Sequence, residues 1–324
     1  GFYLYIFPLA IVTKKDTVDL PTDSIYLLTL FREIPNYSIS VPSFVARNRI
    51  LFGYYGEGKD IQIEPLSTIP DTISTKILKD PEKDTLNFWF TPYEMDSLVF
   101  TVTNEKLKLI DTFTVKSRKV GTDSLKLAPN QTGSLSFNDP FYIGANTPLE
   151  AIDTLQMSMM KTDSSAVSFS TTLDSTKNRV HVDFEVEPNE SYALSLLPGA
   201  ITDFFGQTND TVNFRLATKS LADYGNLRLN IATDSLSYPL LIQLTDAKGA
   251  TQHEIYAEKP QVFEFNALDP ATYLLRVIFD SNGNQKWDTG NYLKRIQPEK
   301  VSYYPNEIEL RANWELEQTF IISD

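Results

Sequence analysis

The chain has 324 residues, of which 42% are hydrophobic, 12% aromatic and 22% charged, and this is the composition of a globular protein. No apolar run approaches the roughly 20 residues that a membrane-spanning helix needs, and the length predicts about two or three domains. Cysteine is absent, which excludes disulfides, thiolate metal sites and cysteine nucleophiles.

The charge balance argues against nucleic acid as a partner. Acidic residues number 42 against 29 basic ones, so the formal net charge is -13. A phosphate backbone is held by clustered cations, whereas the nearest candidates here are two short pairs, Lys14 with Lys15 and Arg47 with Arg49, which we interpret as solvated. The lack of cysteine fits an extracytoplasmic bacterial protein, although many cytosolic proteins also lack it.

Residues 1–12 are apolar but lack the features of a secretory signal peptide. No basic segment precedes them, Pro8 interrupts them, and no small-residue cleavage site follows. We interpret residues 1–40 as an incoming strand and linker. We expect the chain to be the later part of a longer protein whose targeting segment lies upstream.

Alternation of apolar and polar residues predicts β-strands along most of the chain. One face of such a strand is buried and the other is wet. Helical spacing is hard to find, and prolines and glycines separate the alternating runs at intervals of about ten residues, which is typical of sandwiches and barrels. The alternating apolar sets are Leu86, Phe88 and Phe90; Val180, Val182, Phe184 and Val186; Leu240, Ile242 and Leu244; and Tyr273, Leu275, Val277 and Phe279.

An internal repeat predicts two similar modules in succession. Residues 84–118 align with residues 179–220 at an offset of about 95 residues, near the roughly 100 residues of an immunoglobulin-like (Ig-like) sandwich. Each copy ends with an Asp-Thr strand and a short basic linker, and Pro92 matches Pro188 after the alternating strand. The other interpretation is that two β-rich stretches align by patterning alone.

A third domain is predicted from residue 224 onward, where short strands are joined by polar turns. Residues 246–249 are typical of a hairpin connection. The predicted fold class is therefore all-β, with Ig-like β-sandwiches in tandem. The predicted divisions are 1–40 for the incoming strand and linker, 41–119 and 120–220 for the two Ig-like sandwiches, and 221–324 for the last domain.

The spacing of residues 280–290, DSNGNQKWDTG, is that of a calcium-binding loop. Oxygen-bearing side chains alternate, Gly283 allows a tight turn, and the seventh position offers a backbone carbonyl. Because the twelfth position is Asn291 and not a bidentate Glu, we expect a Kd on the order of 10⁻⁴ to 10⁻³ M. The alternative is an Asx-rich turn without any metal. The predicted ligands are Asp280, Asn282, Asn284, Lys286 through its carbonyl, and Asp288.

Candidate catalytic groups are sparse. His181, on the polar face of a strand, and His253, in a predicted turn, belong to no GxSxG, HExxH or CxxC motif, so we interpret both as surface residues. Glu185 and Glu187 share a strand face, as glycosidase carboxylates could, but a solvated strand explains them better. We predict that the protein is not an enzyme.

Aromatic residues are a further candidate site, because they can stack on sugars or anchor in a partner protein. We predict a binding role for Trp89, Tyr54 and Tyr55. Trp89 alternates out of phase with its apolar neighbours, so we expect it to face outward. Core packing, the usual fate of a sandwich tryptophan, is the alternative. Other candidates are Phe141, Tyr142, Trp287 and Trp314.

One set of residues in the C-terminal part of the sequence carries a resemblance to known proteins. The set is Asp280, Asn282, Gly283, Asn284, Trp287, Asp288, Thr289, Gly290, Asn291, Tyr292, Gln297, Pro298, Arg311, Asn313 and Trp314. With these residues, this part of the sequence is similar to a family of Ig-like-domain surface lipoproteins of Gram-negative bacteria, which carry SbsA-type Ig-like domains and a transthyretin-like or carboxypeptidase-regulatory-like domain. Weaker similarity extends over residues 23–220. The family's Pro-Gly-Thr-Tyr corner is Pro270-Ala271-Thr272-Tyr273 here, and Ala271 argues against a positive φ at that position.

The resemblance implies tandem Ig-like β-sandwiches followed by a transthyretin-like β-sandwich, with no catalytic residues. It implies a structural or interactive role at the outer surface of the outer membrane. Our first hypothesis is a lipid-anchored accessory subunit that docks on outer-membrane or other surface proteins, in an assembly or transport complex, and meets the membrane only through an upstream anchor. The alternative is a carbohydrate-binding surface module that uses exposed aromatic residues to hold a glycan.

Overall fold

The computed structural model divides into two compact units, Gly1–Glu33 with Ala222–Asp324 and Ile34–Leu221. Side chains are described for residues 38–56, 60–81, 83–105, 108–232, 238–290 and 295–322, so most of the predicted segment 1–40 lies outside the described residues. Within it β1 pairs with β4 and β2 with β3, both antiparallel. These backbone segments are β1 (Phe2–Tyr5), β2 (Ile11–Val12), β3 (Thr17–Val18) and β4 (Leu27–Leu30).

The first half of the unit Ile34–Leu221 is a two-layer sandwich. Its strands are β5 (Ser38–Ile39), β6 (Ser43–Ala46), β7 (Arg49–Tyr55), β8 (Ile61–Pro65), β9 (Thr75–Lys79), β10 (Thr85–Phe90), β11 (Ser97–Asn104) and β12 (Leu109–Lys116). One sheet has the order β5-β7-β10-β9, with β6 also on β7, and the other has the order β12-β11-β8. If β5 with β6 is strand A and β12 is strand G, these are the A-B-E-D and C-F-G sheets of an Ig constant-type domain.

The two sheets of this first sandwich meet in an aromatic core. Phe100 of β11 lies 5.2 Å from Phe52 of β7 and 5.0 Å from Phe88 of β10 between ring centroids, with edge-to-face geometry in both pairs. Such pairs contribute about 0.5–1.5 kcal/mol beyond the area that they bury. The core therefore joins the sheets through alternate inward-facing residues, as the sequence pattern predicts.

The second half of Ile34–Leu221 repeats this plan. Its strands are β13 (Leu127–Pro129), β14 (Gly133–Ser134), β15 (Tyr142–Ala145), β16 (Leu149–Ile152), β17 (Met157–Lys161), β18 (Phe169–Asp174), β19 (Arg179–Phe184), β20 (Ser191–Leu196), β21 (Ile201–Asp203) and β22 (Val212–Ala217), and a 3-10 helix covers Thr154–Gln156. The sheets have the orders β13-β15-β19-β18 and β14-β22-β20-β17, with β14 parallel to β22. An additional pair, β16 with β21, completes the sandwich. The predicted fold class, all-β with Ig-like sandwiches in tandem, is confirmed, whereas the predicted divisions stay predictions.

Asn178 fixes the chain between β15 and β16. Its Oδ1 accepts the backbone N–H of Leu149 at 2.7 Å, and its Nδ2 donates to the carbonyls of Ala145 and Thr147, both at 2.8 Å. The residue is 8% exposed and has a left-handed φ of 54°. Asparagine suits this position because its short polar side chain tolerates the left-handed region and satisfies buried backbone groups.

The last part of the chain forms a further sandwich in the unit that contains Ala222–Asp324. The sheet orders are β26-β23-β30, with β23 parallel to β30, and β25-β24-β27-β28, with β29 also on β27. Apolar side chains from both sheets make one core. The strands are β23 (Gly225–Ala232), β24 (Leu240–Thr245), β25 (Thr251–Ala257), β26 (Phe263–Leu268), β27 (Ala271–Phe279), β28 (Val301–Tyr303), β29 (Ile308–Leu310) and β30 (Glu315–Ile321), preceded by a 3-10 helix, Leu221–Asp223. No helix in the described ranges is long and apolar enough to cross a membrane.

Local predictions in this last sandwich have mixed outcomes. The turn between β24 and β25 is the predicted hairpin, because the N–H of Gly249 donates to the carbonyl of Asp246 at 2.9 Å. His253 lies within β25, so its prediction as a turn residue is wrong. The polar residues around His253 suggest a turn by their composition, but they continue the two-residue alternation of a strand.

Tyr273 closes the corner before β27. Its hydroxyl donates to the carbonyl of Asp269 at 2.7 Å, and Ala271, the first residue of β27, does not have a positive φ. Alanine therefore fits this corner without strain. Burial, together with the nearby charge of Asp269, raises the pKa of Tyr273 to about 12.

We predict that Asn178→Ala lowers the free energy of unfolding by about 3 kcal/mol, because it leaves buried backbone groups without partners. The control is Asn189→Ala at an exposed residue with a similar φ of 55°. It should cost about 1 kcal/mol, the penalty of a left-handed alanine. Urea unfolding of both variants measures the difference, and equal losses would show that the three hydrogen bonds of Asn178 contribute nothing.

We predict that the stabilising effect of Tyr273 disappears at high pH. Its folded-state pKa of about 12 lies above the roughly 10 of an unfolded tyrosine, so the fold favours the neutral phenol. This contribution is complete below about pH 10 and is lost as the pH rises toward 12. Urea unfolding of the wild type and Tyr273→Phe, from pH 8 to 12, should show a shrinking wild-type advantage. A constant difference would contradict the raised pKa.

Candidate functional site

The side chains of the predicted calcium loop converge within the loop. The Nδ2 atoms of Asn282 and Asn284 both donate to Oδ2 of Asp288, the latter at 2.7 Å. Asp280 is 0% exposed, and its two carboxylate oxygens accept the backbone N–H groups of Asn284 and Gln285 at 3.1 and 2.8 Å. The N–H of Lys286 donates to Oδ1 of Asn284 at 2.9 Å. The structure thus brings the five predicted residues into one turn, held by Asx-type hydrogen bonds.

Glu299 closes this loop and was missed by the sequence analysis. Its carboxylate accepts the backbone N–H and the hydroxyl of Ser281, at 2.8 and 3.0 Å, and the N–H of Asp288 at 3.0 Å. Its backbone carbonyl accepts the indole N–H of Trp287 at 3.2 Å. A Cβ on Gly290 would lie 2.5 Å from a backbone oxygen, that of Ile296, so this position requires glycine. No local sequence pattern links Glu299 to this loop, whose residue Asp288 lies eleven positions earlier.

The three predicted aromatic binding residues do not form one exposed surface. Tyr54 is 4% exposed and belongs to the core of the first sandwich, whereas Tyr55, the next residue of β7, is 63% exposed. Trp89 does face outward from its sheet but is only 2% exposed. The exposure expected for Tyr54 and Trp89 is therefore wrong, because β7 turns Tyr54 into the core and the second sandwich covers Trp89.

The candidate catalytic residues are engaged in ordinary surface contacts. The ring of His181 packs on Tyr142 at 5.7 Å between centroids. Oε1 of Glu187 accepts a hydrogen bond from Nζ of Lys161 at 2.6 Å, and this bond raises the pKa of Lys161. The pair Glu185 and Glu187 therefore lacks two free carboxylates. Within the described ranges, no three His, Asp or Glu side chains cluster closely enough to hold a metal ion.

Strand β12 is an exposed sheet edge. It pairs with β11 on one side, and no second partner occurs among the described residues. Six of its eight residues are exposed. They include the large apolar residues Leu109, 39% exposed, and Ile110, 73% exposed. Unpaired N–H and C=O groups along such an edge are a template for pairing with another chain.

A cleft lies between the two sandwiches of Ile34–Leu221. Trp89 packs edge-on against Phe205 of the second sandwich, with 6.1 Å between ring centroids. Arg49 lies over the Trp89 ring at 4.8 Å, and Arg179 lies over the Tyr142 ring at 4.4 Å. All four of these arginine and aromatic side chains line the cleft, whose volume is about 410 Å³. Two stacked arginines thus face the cleft from opposite sandwiches.

Several polar contacts fix the two sandwiches relative to each other at this cleft. Asn48 accepts the N–H of Asp123 at 3.0 Å and donates to its carbonyl at 3.2 Å. Lys76 of β9 donates to the carboxylate of Glu150 at 2.9 Å and to the carbonyl of Leu149 at 3.3 Å. The relative position of the sandwiches therefore rests on hydrogen bonds from side chains to backbone groups as well as on a hydrogen bond between side chains.

Comparisons with known proteins give no family. No protein-family model matches the chain, and no curated protein matches it. Solved structures with some likeness include domains 4–9 of the surface layer protein SbsC (9% identity, 89% of this chain and 51% of that chain, TM-score 0.27). Another is titin domains A168–A170 (10% identity, 86% of this chain and 98% of that chain, TM-score 0.20). A third is SGBP-B of the Bacteroides ovatus mixed-linkage glucan utilization locus, in complex with a mixed-linkage heptasaccharide (8% identity, 90% of this chain and 69% of that chain, TM-score 0.21). At these TM-scores the likeness supports no conclusion about function.

Proposed function

We propose that this protein is a non-enzymatic, extracytoplasmic interaction module that docks on another surface or outer-membrane protein. The observation that carries the proposal is the exposed edge of β12, where alternate residues turn their N–H and C=O groups away from β11 and where Leu109 and Ile110 are exposed. An extended segment of a partner can add to such an edge, with main-chain hydrogen bonds giving affinity and apolar contacts giving specificity. The net charge of -13 would keep the free module soluble.

The finer parts of this proposal rest on the resemblance to Gram-negative surface lipoproteins. We propose that the last sandwich is transthyretin-like, which its two sheets and the parallel pairing of β23 with β30 support. We also propose an upstream lipid anchor and membership of an outer-membrane assembly or transport complex. The absence of cysteine from the whole chain agrees with an extracytoplasmic location.

We predict that a photo-crosslinking residue at position 110 captures a partner in intact cells that produce the full-length protein. The matched control is position 155, because Leu155 is an equally apolar residue that is 89% exposed and lies outside β12. Mass spectrometry identifies the adduct. Ile110→Lys should abolish the adduct of a crosslinker placed at position 112, because a lysine blocks edge pairing. It should change the unfolding free energy by less than about 0.5 kcal/mol.

Two outcomes would overturn the docking proposal. One is that the protein with the crosslinking residue at position 110 stays an uncrosslinked monomer under conditions in which other surface proteins crosslink. The other is the same adduct at positions 110 and 155, which would indicate unspecific contact. An adduct of two copies of this chain would show that the edge of β12 binds a second copy of the chain and not a different protein.

We also propose that the loop of residues 280–290 binds calcium weakly. The support is that Asp280, Asn282, Asn284 and Asp288 alternate within one turn, because carboxylate and amide oxygens are ligands that calcium prefers. Calcium binding would require the amides of Asn282 and Asn284, whose Nδ2 atoms donate to Asp288, to rotate and present their oxygens. Only two carboxylates, those of Asp280 and Asp288, belong to the five predicted ligands. Low ligand charge fits a Kd on the order of 10⁻⁴ to 10⁻³ M.

We predict that calcium at ten times its Kd stabilises the protein by about 1.4 kcal/mol. Isothermal titration and thermal unfolding measure this effect. Asp288→Asn should remove it. The matched control is Asp246→Asn in the β24–β25 hairpin, where Oδ1 of Asp246 accepts two hydrogen bonds, from the backbone N–H groups of Lys248 and Ala250. If millimolar calcium gives neither heat nor a higher melting temperature, the loop is an Asx-rich turn alone.

The alternative function, glycan binding by an aromatic platform, has less support. Of Trp89, Tyr54 and Tyr55, only Tyr55 offers an open ring face, and a platform needs more than one ring. Trp287 is 37% exposed, but its indole N–H donates a hydrogen bond to the carbonyl of Glu299. Trp314 is 43% exposed, but the guanidinium group of Arg311 covers its ring. A glycan array with the full-length protein tests what remains of this hypothesis.

A further inference from the structure

The cleft between the two sandwiches of Ile34–Leu221 has the dimensions of a small-molecule site. Its volume of about 410 Å³ lies within the range of roughly 300–1,000 Å³ in which proteins hold small ligands. Both walls are outer faces of A-B-E-D sheets. Strands β7, β9 and β10 contribute one wall, and β15 and β19 contribute the other. The cleft is therefore built largely from regular strands, and the turns beside them contribute Asp80, Pro81, Asn146, Lys177 and Asn178.

Hydrogen-bond donors without acceptors are concentrated in these walls. Nε of Arg49, Nε of Arg179 and the indole N–H of Trp89 are buried and have no partner among the described residues. One acceptor, Oδ1 of Asn87, is also buried and has no hydrogen-bond partner among the described residues. Trp89 and Asn87 are 2% and 6% exposed. Unpaired buried groups cost about 1–3 kcal/mol each and call for an explanation. Three donors against one acceptor favour a ligand rich in oxygen acceptors.

Positive charge also collects at the cleft, although the whole chain carries -13. Arg49, Arg179, Lys79 and Lys177 line it, with Asp80 as the only carboxylate among the lining residues. Lys177 is exposed, so its ammonium group can turn toward a ligand, whereas the ammonium group of Lys79 lies over the Tyr54 ring at 5.7 Å. In an acidic protein, a cleft with Arg49, Arg179 and Lys177 against one lining carboxylate attracts ligands of negative charge.

The carboxylates behind the two arginines neutralise them incompletely. Asp123 lies 3.0 Å from Arg49, without hydrogen-bond geometry. Asp174 is 3.9 Å from Nε of Arg179. Asp174 is held by its own turn, because the Thr176 hydroxyl donates to it at 2.6 Å and thereby lowers its pKa. Arg179 therefore keeps most of its capacity to bind a second anion.

The aromatic rings of the cleft position the arginines. The faces of Trp89 and Tyr142 are covered by the guanidinium groups of Arg49 and Arg179, at 4.8 and 4.4 Å. A guanidinium that is stacked on a ring is already oriented, so it loses little freedom when it binds a carboxylate or a phosphate. These rings are not free to stack on a sugar, which distinguishes the cleft from a neutral glycan platform.

We propose that this cleft binds a small organic anion, a sugar acid or a sugar phosphate, whose carboxylate or phosphate lies between Arg49 and Arg179. Lys177 adds to the attraction, and the ring hydroxyls of the ligand face Asn87. This site is independent of the docking edge, and either proposal can fail alone.

Three probes with the same sugar ring test the proposal: galacturonate, galactose 6-phosphate and neutral galactose. The protein is titrated with each, and the indole N–H signal of Trp89, assigned with Trp89→Phe, is followed by NMR. We expect galacturonate or galactose 6-phosphate to shift this signal and galactose to leave it unchanged. Whichever anion binds more tightly identifies the carboxylate or the phosphate as the preferred group. Raising the salt concentration should weaken the binding.

Two variants and one matched control assign the binding to the cleft. Arg179→Gln should weaken binding by roughly tenfold or more, because it removes a charge-assisted contact. Should that variant fold poorly, Lys177→Gln changes only an exposed side chain and should weaken binding severalfold. The control is Arg311→Gln, because Arg311 also covers an indole, that of Trp314 at 5.2 Å, but lies in the other unit.

The proposal is overturned if neither anion shifts the Trp89 signal at millimolar concentration. It is also overturned if galactose binds as well as the anions, or if the cleft variants bind as tightly as Arg311→Gln. If no probe binds, the two arginines serve only to cover the rings of Trp89 and Tyr142 within their own sandwiches.

Discussion

The arrangement of the unit Ile34–Leu221 depends on the burial of one outward-facing side chain, Trp89, together with the polar contacts of Asn48 and Lys76. Trp89 projects from the outer face of β10, yet it is 2% exposed because Phe205 of the second sandwich and Arg49 of its own sheet cover it. A buried tryptophan of this kind favours one relative position of two domains, since separation would expose a large apolar ring to water. The cleft beside it exists only in that relative position.

Two-residue alternation explains why the fold could be predicted from the sequence. Leu86, Phe88 and Phe90 face one core, and Val180 and Val182 face another, because a strand turns successive side chains to opposite faces. The aligned segments 84–118 and 179–220 each contain the strands equivalent to E, F and G of an Ig domain, as the sheet orders demonstrate. The repeat thus has a structural basis, and its offset reflects the size of one sandwich.

The same alternation could not predict what covers an outer face. Trp89 and Arg49 occupy outward positions. The alternation therefore predicts that Trp89 is an exposed binding residue and that Arg49 is a solvated cation. Their actual environment is set by Phe205 and Asp123, which lie far away in the sequence. Glu299 was missed for a similar reason, because it reaches the loop of residues 280–290 through tertiary structure. The loop residues themselves were found because their spacing is local.

The two surfaces of the first sandwich that we consider functional lie on opposite sheets. Strand β12 is the edge of the C-F-G sheet, whereas Arg49, Asn87 and Trp89 belong to the A-B-E-D sheet, and the aromatic core around Phe100 lies between them. A partner that extends the C-F-G sheet at its edge would therefore not occupy the cleft. Coupling between the two surfaces would have to pass through that close-packed core, which resists small displacements. The two proposed contacts, one with a protein chain and one with a small anion, would therefore form independently of each other.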